Sequence, residues 1–326
     1  MSRIPLNESV MVTIVVPTFN RCNDLARCLD SLVQQTYDNF EILVVDNGST
    51  DDTPKLLRKY PVRVIKDLTR NLTHVFNIGW RNAPGQIVAW INDDAEATPS
   101  WIESIVLEFE HHPNASAVGG PTLAMRKQSI HELHEMSHRS KFLTPFGRVY
   151  EAVIAENGLF EIGRLFRSGA YSIGGSLPLS TKLKEPVFVD MLTITNMAIR
   201  KEILRDLGGF DESFLFNHAD GDLFVRMRKS GRLLLFSPKV VVFHHVNPTG
   251  AVRNARNLGR DQAYFYLKDF DHEKTPNSFP LLLNALFFNI YWIFEAMRKG
   301  NPRALNGILG FASGVMAYYG KSHGPS

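Results

Sequence analysis

The sequence predicts an α/β chain: a single Rossmann-like, mainly parallel sheet flanked by helices, with a helical C-terminal tail. Three observations predict it. Apolar runs alternate with helix-patterned segments over roughly the first hundred residues, the arrangement of right-handed βαβ units. The central run, Ile87 to Ile91, is apolar throughout and stops at Asn92-Asp93-Asp94, as a strand buried on both faces does. Near the C-terminus, Phe279 to Phe294 is almost wholly apolar and Ala304 to Tyr319 is small and apolar.

The elements follow in order. Val10 to Val16 is a β-branched run stopped by Pro17 and reads as the first buried strand. Arg21 to Gln35 carries Leu25, Cys28, Leu29 and Leu32 at helical spacing. Phe40 to Val45 is a second strand, closed by Asp46-Asn47-Gly48-Ser49, and Asp51 and Asp52 open a helix running to about Tyr60. Val62 to Ile65 is a short strand, Thr73 to Asn82 a helix ended by Pro84-Gly85, and the central strand comes next. Trp101 to Glu110 is an amphipathic helix and Ala117 to Gly120 a strand. From Pro121 to Pro186 regular alternation is lost. Leu233 to Phe236 and Val240 to Phe243 are strands, the latter ending in His244-His245.

Composition narrows the function classes. The chain has 326 residues, 44% of them hydrophobic, as in an ordinary globular protein. A formal net charge of +3 gives no support for a nucleic-acid partner, though it leaves room for a basic patch facing phosphate or anionic lipid. The two cysteines, Cys22 and Cys28, lie on one expected helix, and the N-terminus shows no basic-then-apolar signal pattern. A reducing, cytoplasmic setting is therefore expected, and the sequons at Asn7, Asn47, Asn71 and Asn114 read as chance.

Chemistry points to the C-terminal end of the central strand. Adjacent carboxylates at Asp93 and Asp94 repel each other and need a counter-charge. A divalent cation is one, and a hard ion of this kind prefers carboxylate and phosphate oxygens. Open α/β sheets bind ligands at this edge. The plainer reading is a solvated acidic turn before the helix that opens near Pro99. Pro17-Thr18-Phe19-Asn20 and Asp46 end the first two strands on the same edge, where Asp46 could accept from a base or ribose or cap its own turn. There is no G-x-x-x-x-G-K-[ST] loop, and no G-x-G-x-x-G follows the first strand.

The residues V-T-I-V-V-P-T-F-N-R, E-I-L-V-V-D-N-G-S-T-D-D-T and the strand ending in N-D-D resemble, in that order and spacing, the nucleotide-sugar half of glycosyltransferase family 2, whose members are inverting enzymes of the GT-A fold. The resemblance implies that Pro17, Thr18, Asn20 and Asp46 line the nucleotide pocket. It makes Asn92-Asp93-Asp94 the family's D-x-D motif, with Asp93 on the donor, Asp94 on Mg²⁺ or Mn²⁺, and Asn in the first acid's place. Asn77 and Gly79 resemble the R-N-x-G element, with Phe76 for Arg. Asp190, Asn196 and Arg200 match a later element in which Ile194 stands for Gly. Aligned on Gly209-Phe210-Asp211-Glu212, the family's Glu-Asp pair falls on Ala219-Asp220, so Asp220 is the implied catalytic base, with Asp222 as a possible supporting acid. His244, six residues after Pro238, is implied as a metal ligand or diphosphate donor, and Arg253, Arg256 and Arg260 could meet phosphates.

The expected activity is transfer of one sugar from a nucleotide diphosphate sugar to a hydroxyl on a glycan or lipid-linked glycan, of the hexosyltransferase kind used in cell-envelope polysaccharide synthesis. Residues 1–250 are expected to form the catalytic domain and 251–326 an amphipathic helical region lying on the cytoplasmic face of a membrane. Phe279 to Phe294 is short of the ~20 residues needed to span one. Two alternatives remain open. The departures at Asn92, Ala219 and Ile194 fit a relative that binds sugar or nucleotide without turnover. His134-Glu135-Met136-Ser137-His138 satisfies the zinc-hydrolase pattern H-E-x-x-H, without the third ligand in register.

Overall fold

The computed structural model describes residues 10–125, 145–245, 253–270 and 279–322. The first half runs β1 (Val12–Thr18), α1 (Cys22–Leu32), β2 (Phe40–Asp46), α2 (Thr53–Leu57), β3 (Arg63–Lys66), α3 (Leu72–Asn82), β4 (Ile87–Trp90), β5 (Ala95–Ala97), α4 (Trp101–His111), β6 (Ala115–Gly119) and β7 (Thr122–Ala124). The second half runs α5 (Pro145–Val149), β8 (Val187–Val189), β9 (Met197–Arg200), α6 (Lys201–Asp206), α7 (Ala219–Lys229), β10 (Leu233–Phe236), β11 (Val242–His244), α8 (Ala255–Asp269), α9 (Phe279–Lys299) and α10 (Asn306–Ser322).

The described strands form an eight-stranded sheet in the order β3-β2-β1-β4-β9-β6-β10-β8 and a small sheet β5-β11-β7. β1, β2, β3 and β4 are parallel neighbours, whereas β9 runs antiparallel between β4 and β6. β1 is buried at all seven positions because both faces are covered. Val12, Ile14 and Val16 meet α1 and α4 through Leu25, Leu29 and Ile105, while Val15 meets the opposite layer of Val75, Phe76 and Leu223. That two-residue alternation is the strand period read against two apolar layers. Gly79 lets α3 press onto β1, since a Cβ there would lie 2.4 Å from Val15 Cγ1.

Several boundaries differ from the sequence reading. β1 passes through Pro17 to Thr18, because its pairing with β4 ends at Val15 and beyond that point it has one neighbour. α2 is a short turn of five residues rather than a helix to Tyr60. Asn71 caps α3, accepting from the Thr73 N–H at 2.9 Å and the His74 N–H at 3.3 Å. β9 was not read as a strand at all. α9 is 21 residues long, because it continues past Glu295 to Lys299. Glu295 is buried and paired to Arg298 at 2.6 Å, so the charge does not end the helix. By length and composition α9 is sufficient to cross a membrane, yet 28% of its most apolar window is buried against the protein.

Residue 250 is not a packing boundary. Tyr264, Phe265 and Tyr266 of α8 belong to the same cluster as β4 and α7. α10 in turn lies directly on α8, where Cβ atoms at Gly310 and Gly314 would fall 2.0 Å and 2.1 Å from the carbonyl oxygens of Arg256 and Arg260.

Candidate active site

The acid pair sits in the turn between β4 and β5, beyond the C-terminal end of the central strand. β11 pairs antiparallel with β5, placing His244 opposite Ala95, and the His245 N–H donates to the Asp94 carbonyl at 2.8 Å. That pairing delivers His244 Nε2 to 3.0 Å from Asp94 Oδ1. On the other side, Thr18 at the end of β1 donates its hydroxyl to Asp93 Oδ2 at 2.8 Å. Arg21, at the start of α1, hydrogen-bonds Asp94 Oδ2 and lies 3.4 Å from Asp93 Oδ1.

The counter-charge that two adjacent buried carboxylates require is therefore supplied by a guanidinium. Burial pushes the Asp93 carboxyl up to about 7, with Arg21 opposing the rise and Asp94 adding to it. Burial also works against ionised Asp94, but the hydrogen bond and charge of His244 and the Arg21 guanidinium outweigh it and hold that carboxyl below the usual range. The two acids are thus pushed in opposite directions, and Asp94 gives up its proton more readily than Asp93. Arg21 is held above its ordinary value: burial is opposed and exceeded by Asp93 and Asp94.

The donor atoms fit a divalent cation. His244 Nε2 and Asp94 Oδ1 form a hydrogen bond at 3.0 Å, and an imidazole nitrogen beside a carboxylate oxygen is a donor pair that a divalent cation would accept in its place. The described residues contain no group of three or more His, Cys, Asp or Glu suited to hold a metal, so an ion here needs water or phosphate oxygens to complete its shell. Mg²⁺ and Mn²⁺ both accept that arrangement.

Pro17, Thr18, Asn20 and Asp46 come together at the ends of β1 and β2. Asp46 Oδ1 accepts the Ser49 N–H at 2.9 Å, which is its turn-capping role. Asn20, with φ 52°, gives its N–H to Ser49 Oγ at 2.9 Å and accepts the Thr50 N–H at 2.7 Å, tying the two strand-end loops together.

A cavity of about 280 Å³ is lined by Phe76, Asn92, Tyr171, Thr195, His218 and Asp220 among others, Asn92 being the residue before the acid pair. Asn92 donates to Thr195 Oγ1 at 3.0 Å. Asp220 lies in the first turn of α7, which starts at Ala219 rather than near Gly221. Its Oδ2 accepts the Ile194 N–H at 3.2 Å and its Oδ1 the Gly221 N–H at 2.9 Å. The segment leading to it is fixed from α8. Buried Asp261 accepts the N–H groups of Leu215, Phe216 and Asn217 at 3.0, 2.8 and 2.9 Å, and Gln262 Oε1 is 2.8 Å from His218 Nε2.

Other expected residues are engaged elsewhere. Asn77 is buried and fully used: it donates to Phe210 O at 2.8 Å and Glu212 Oε1 at 2.7 Å, and accepts from Trp80 Nε1 and Phe210 N. Asn196, also buried, bridges Pro121 O, Val240 O and Trp101 Nε1. Both amides spend their N–H groups on backbone carbonyls or a carboxylate of the fold, and each oxygen accepts from the Trp80 or Trp101 indole. Asp190 accepts the Leu165 N–H at 3.0 Å and pairs with Arg228 at 3.0 Å. Arg200 donates to Ala115 O and Phe109 O. Asp222 is buried against Arg226 and Lys268 and does not support Asp220. Arg260 donates to Ser213 O at 2.7 Å and to Asp261, not toward a phosphate site. The H-E-x-x-H stretch, residues 134–138, lies outside the described residues. Sequence reasoning missed Arg21, His218, Asp261 and Gln262. Arg21 alone left a signal, as the basic residue closing the P-T-F-N-R strand end.

Residues 13–165 match the family model described as glycosyl transferase family 2. Among curated relatives, the O-antigen biosynthesis protein RfbC of Myxococcus xanthus is 27% identical over 253 residues, 74% of this chain and 18% of that protein. The N-acetylglucosaminyl-diphospho-decaprenol L-rhamnosyltransferase of Mycobacterium tuberculosis is 25% identical over 273 residues, 78% of this chain and 79% of that protein. The chain spans only 18% to 27% of the length of the first curated relatives it matches. Among solved structures, the mannosyltransferase PcManGT from Pyrobaculum calidifontis, in complex with GDP-Man and Mn²⁺, superposes with a TM-score of 0.56 at 19% identity, over 98% of this chain and 77% of that one. GalNAc-T7 with UDP, GalNAc and Mn²⁺ gives 0.54 at 15% identity, over 79% and 50%. Residues 13–165 thus carry the match to glycosyl transferase family 2, and the fold is that of the GT-A glycosyltransferases it superposes on.

Proposed function

We propose that the protein transfers a single sugar from a nucleotide diphosphate sugar to a hydroxyl acceptor, with inversion at the anomeric carbon. The observation that carries this reading is the juxtaposition at one sheet edge: Asn92, first residue of the acid turn, and Asp220, in the first turn of α7, line one cavity. Asp94 and His244 are the residues that would hold Mg²⁺ or Mn²⁺, which would supply positive charge against the diphosphate leaving group. Thr18 fixes Asp93 through its hydroxyl, and Asp46 and Asn20 shape the pocket for the nucleoside. Asp220, with both oxygens already oriented by backbone N–H groups, accepts the proton from the acceptor hydroxyl. One carboxylate is enough, because the nucleoside diphosphate leaves without protonation.

The names of the Myxococcus and Mycobacterium relatives favour a cell-envelope glycan as acceptor, with the growing chain carried on a lipid. The exposed apolar side of α9 supports a peripheral position at a membrane.

Purified protein incubated with Mn²⁺ and a panel of UDP-, GDP- and dTDP-sugars should release nucleoside diphosphate from one of them. Asp220→Asn is expected to lower sugar transfer by about 100-fold or more, while donor affinity measured by calorimetry stays within about threefold. Failure to bind any of these donors would refute the reading. Donor binding with equal, residual release in wild type and Asp220→Asn would point instead to a relative that binds without turnover.

A further inference from the structure

Every oxygen of the acid pair is already engaged. Asp93 Oδ2 takes the Thr18 hydroxyl and its Oδ1 faces Arg21, while Asp94 Oδ1 faces His244 and its Oδ2 is taken by Arg21. Arg21 is not a loose surface side chain that happens to reach this far. It follows Asn20, whose left-handed backbone and three loop hydrogen bonds fix the direction in which α1 begins. The Cys22 N–H, one residue on, is held by Asp51 at 3.1 Å. With the side chain only 29% exposed, the guanidinium sits where the two carboxylates converge. There it offsets negative charge that a dication would otherwise meet.

We infer that Arg21 is a built-in counter-cation that competes with the divalent ion for Asp94, so that the metal site forms fully only when a nucleotide diphosphate draws the guanidinium off the acids. A diphosphate attracts a guanidinium through paired N–H···O bonds as well as it attracts a metal. Its arrival therefore offers Arg21 a second anionic partner and frees Asp94 Oδ2. Donor and metal are then thermodynamically coupled through one side chain, and the coupling is reciprocal. This rests on the donor reading above, but the competition itself involves only Arg21, Asp94 and the ion.

Mn²⁺ affinity is measured without nucleotide, from the electron paramagnetic resonance signal of the free ion, for the wild type, Arg21→Gln and Arg21→Lys. Arg21→Gln is expected to bind Mn²⁺ about tenfold or more tightly than the wild type, and Arg21→Lys, which keeps the charge, to stay within about threefold of it. Adding Asp94→Ala to Arg21→Gln should abolish the gain. Adding UDP, GDP or dTDP should tighten Mn²⁺ binding strongly in the wild type and much less in Arg21→Gln. Equal or weaker Mn²⁺ binding by Arg21→Gln, in protein whose thermal transition shows it folded, overturns the inference. The same titrations keep the two readings apart. Absence of nucleotide binding in the wild type with Mn²⁺ present counts against the donor site, whereas unchanged Mn²⁺ affinity in Arg21→Gln counts against the competition alone.

Discussion

His218 shows how much of this site depends on single residues that touch no motif. It adopts φ 62°, a left-handed conformation uncommon for residues other than Gly, though less so for Asn, Asp and His, one residue before the helix that carries Asp220. The cost is offset by three contacts: its ring stacks on Phe265 at 4.8 Å, Tyr171 meets it edge-on at 6.3 Å, and Nε2 bonds Gln262. Burial pushes the imidazole pKa down, which suits a neutral ring in that pocket. His218→Asn tolerates the backbone but loses the ring. It is expected to cost about 1–3 kcal/mol in chemical denaturation and to lower transfer about tenfold, with donor affinity by calorimetry within about twofold. Equal losses in transfer and donor affinity would show that His218 does not act through Asp220. The same reasoning explains which site residues could be read beforehand. Asp93 and Asp94 follow a strand and His244 ends one, and strand ends are visible in the apolar pattern. The partners of Asn77 and Asn196 are not, because a sequence shows an amide but not the distant carbonyls, Phe210 and Val240, that use it.

Among elements, the seam between α7 and α8 carries a buried ionic cluster with a definite pH signature. Lys268 of α8 reaches both Asp211 and Asp222, and Arg226 of α7 closes the other side of Asp222. Asp269, at the end of α8, is left with Oδ2 buried and without a hydrogen-bond partner. Burial pushes its carboxyl up to about 7, with Asp222 adding to the rise and Lys268, Lys229 and Arg226 opposing it. In the unfolded chain such a group ionises near 4. Between about pH 4 and pH 7 the folded protein keeps a proton that the unfolded chain has lost, so stability from this group is full below pH 4 and is lost as pH rises to 7. Asp211 has the opposite sign. Burial opposes its ionisation, but Lys268 and Ser213 prevail and hold it at about 2, so its contribution is present above pH 4 and lost only in strong acid. Asp269→Asn should therefore flatten the decline between pH 5 and pH 7.5 by about 1–3 kcal/mol, read from urea midpoints at the two pH values. Parallel profiles for wild type and variant would refute this. Asp93, also raised, leaves a residual slope in both. None of this seam was legible in the sequence. The βαβ elements of the first hundred residues were, since long apolar periods survive without knowledge of partners. β9 was not, because four residues after a polar turn carry no period of their own, and its antiparallel insertion between β4 and β6 depends wholly on those neighbours.

For the molecule as a whole, the C-terminal helices divide between two jobs that look alike in composition. The small, apolar face of α10 is spent on contact: Gly307 faces Trp292, and Gly310 and Gly314 face the backbone of α8. The sequence suggests an amphipathic helical region from residue 251, and α8 and α10 place their small faces against each other and the fold. Small residues at helical spacing read as interfacial, when in fact they allow two backbones to touch. α9 is the exception. Phe279, Leu282, Leu286, Ile290, Ile293 and Met297 recur at intervals of three and four residues and stay between 37% and 77% exposed, a continuous apolar stripe on the side away from the fold. Such a stripe is costly in water and is the pattern of a helix lying in a lipid interface. If that is its role, sedimentation with vesicles of mixed neutral and anionic lipid should recover the wild type, and Leu282→Glu with Leu286→Glu and Ile293→Glu should lower the recovery about tenfold. Because these side chains are already exposed, the thermal transition should move little. Raising the salt to about 1 M shortens the screening length to roughly 3 Å, so attachment through the stripe should survive a wash that removes attachment through Arg303 and the other basic residues nearby. Loss of recovery in high salt, with no effect of the three substitutions, would assign the membrane contact to charge rather than to α9. Equal recovery of wild type and variant at every salt concentration would leave the stripe for a second copy of the chain, which sedimentation velocity without lipid would then detect as a dimer.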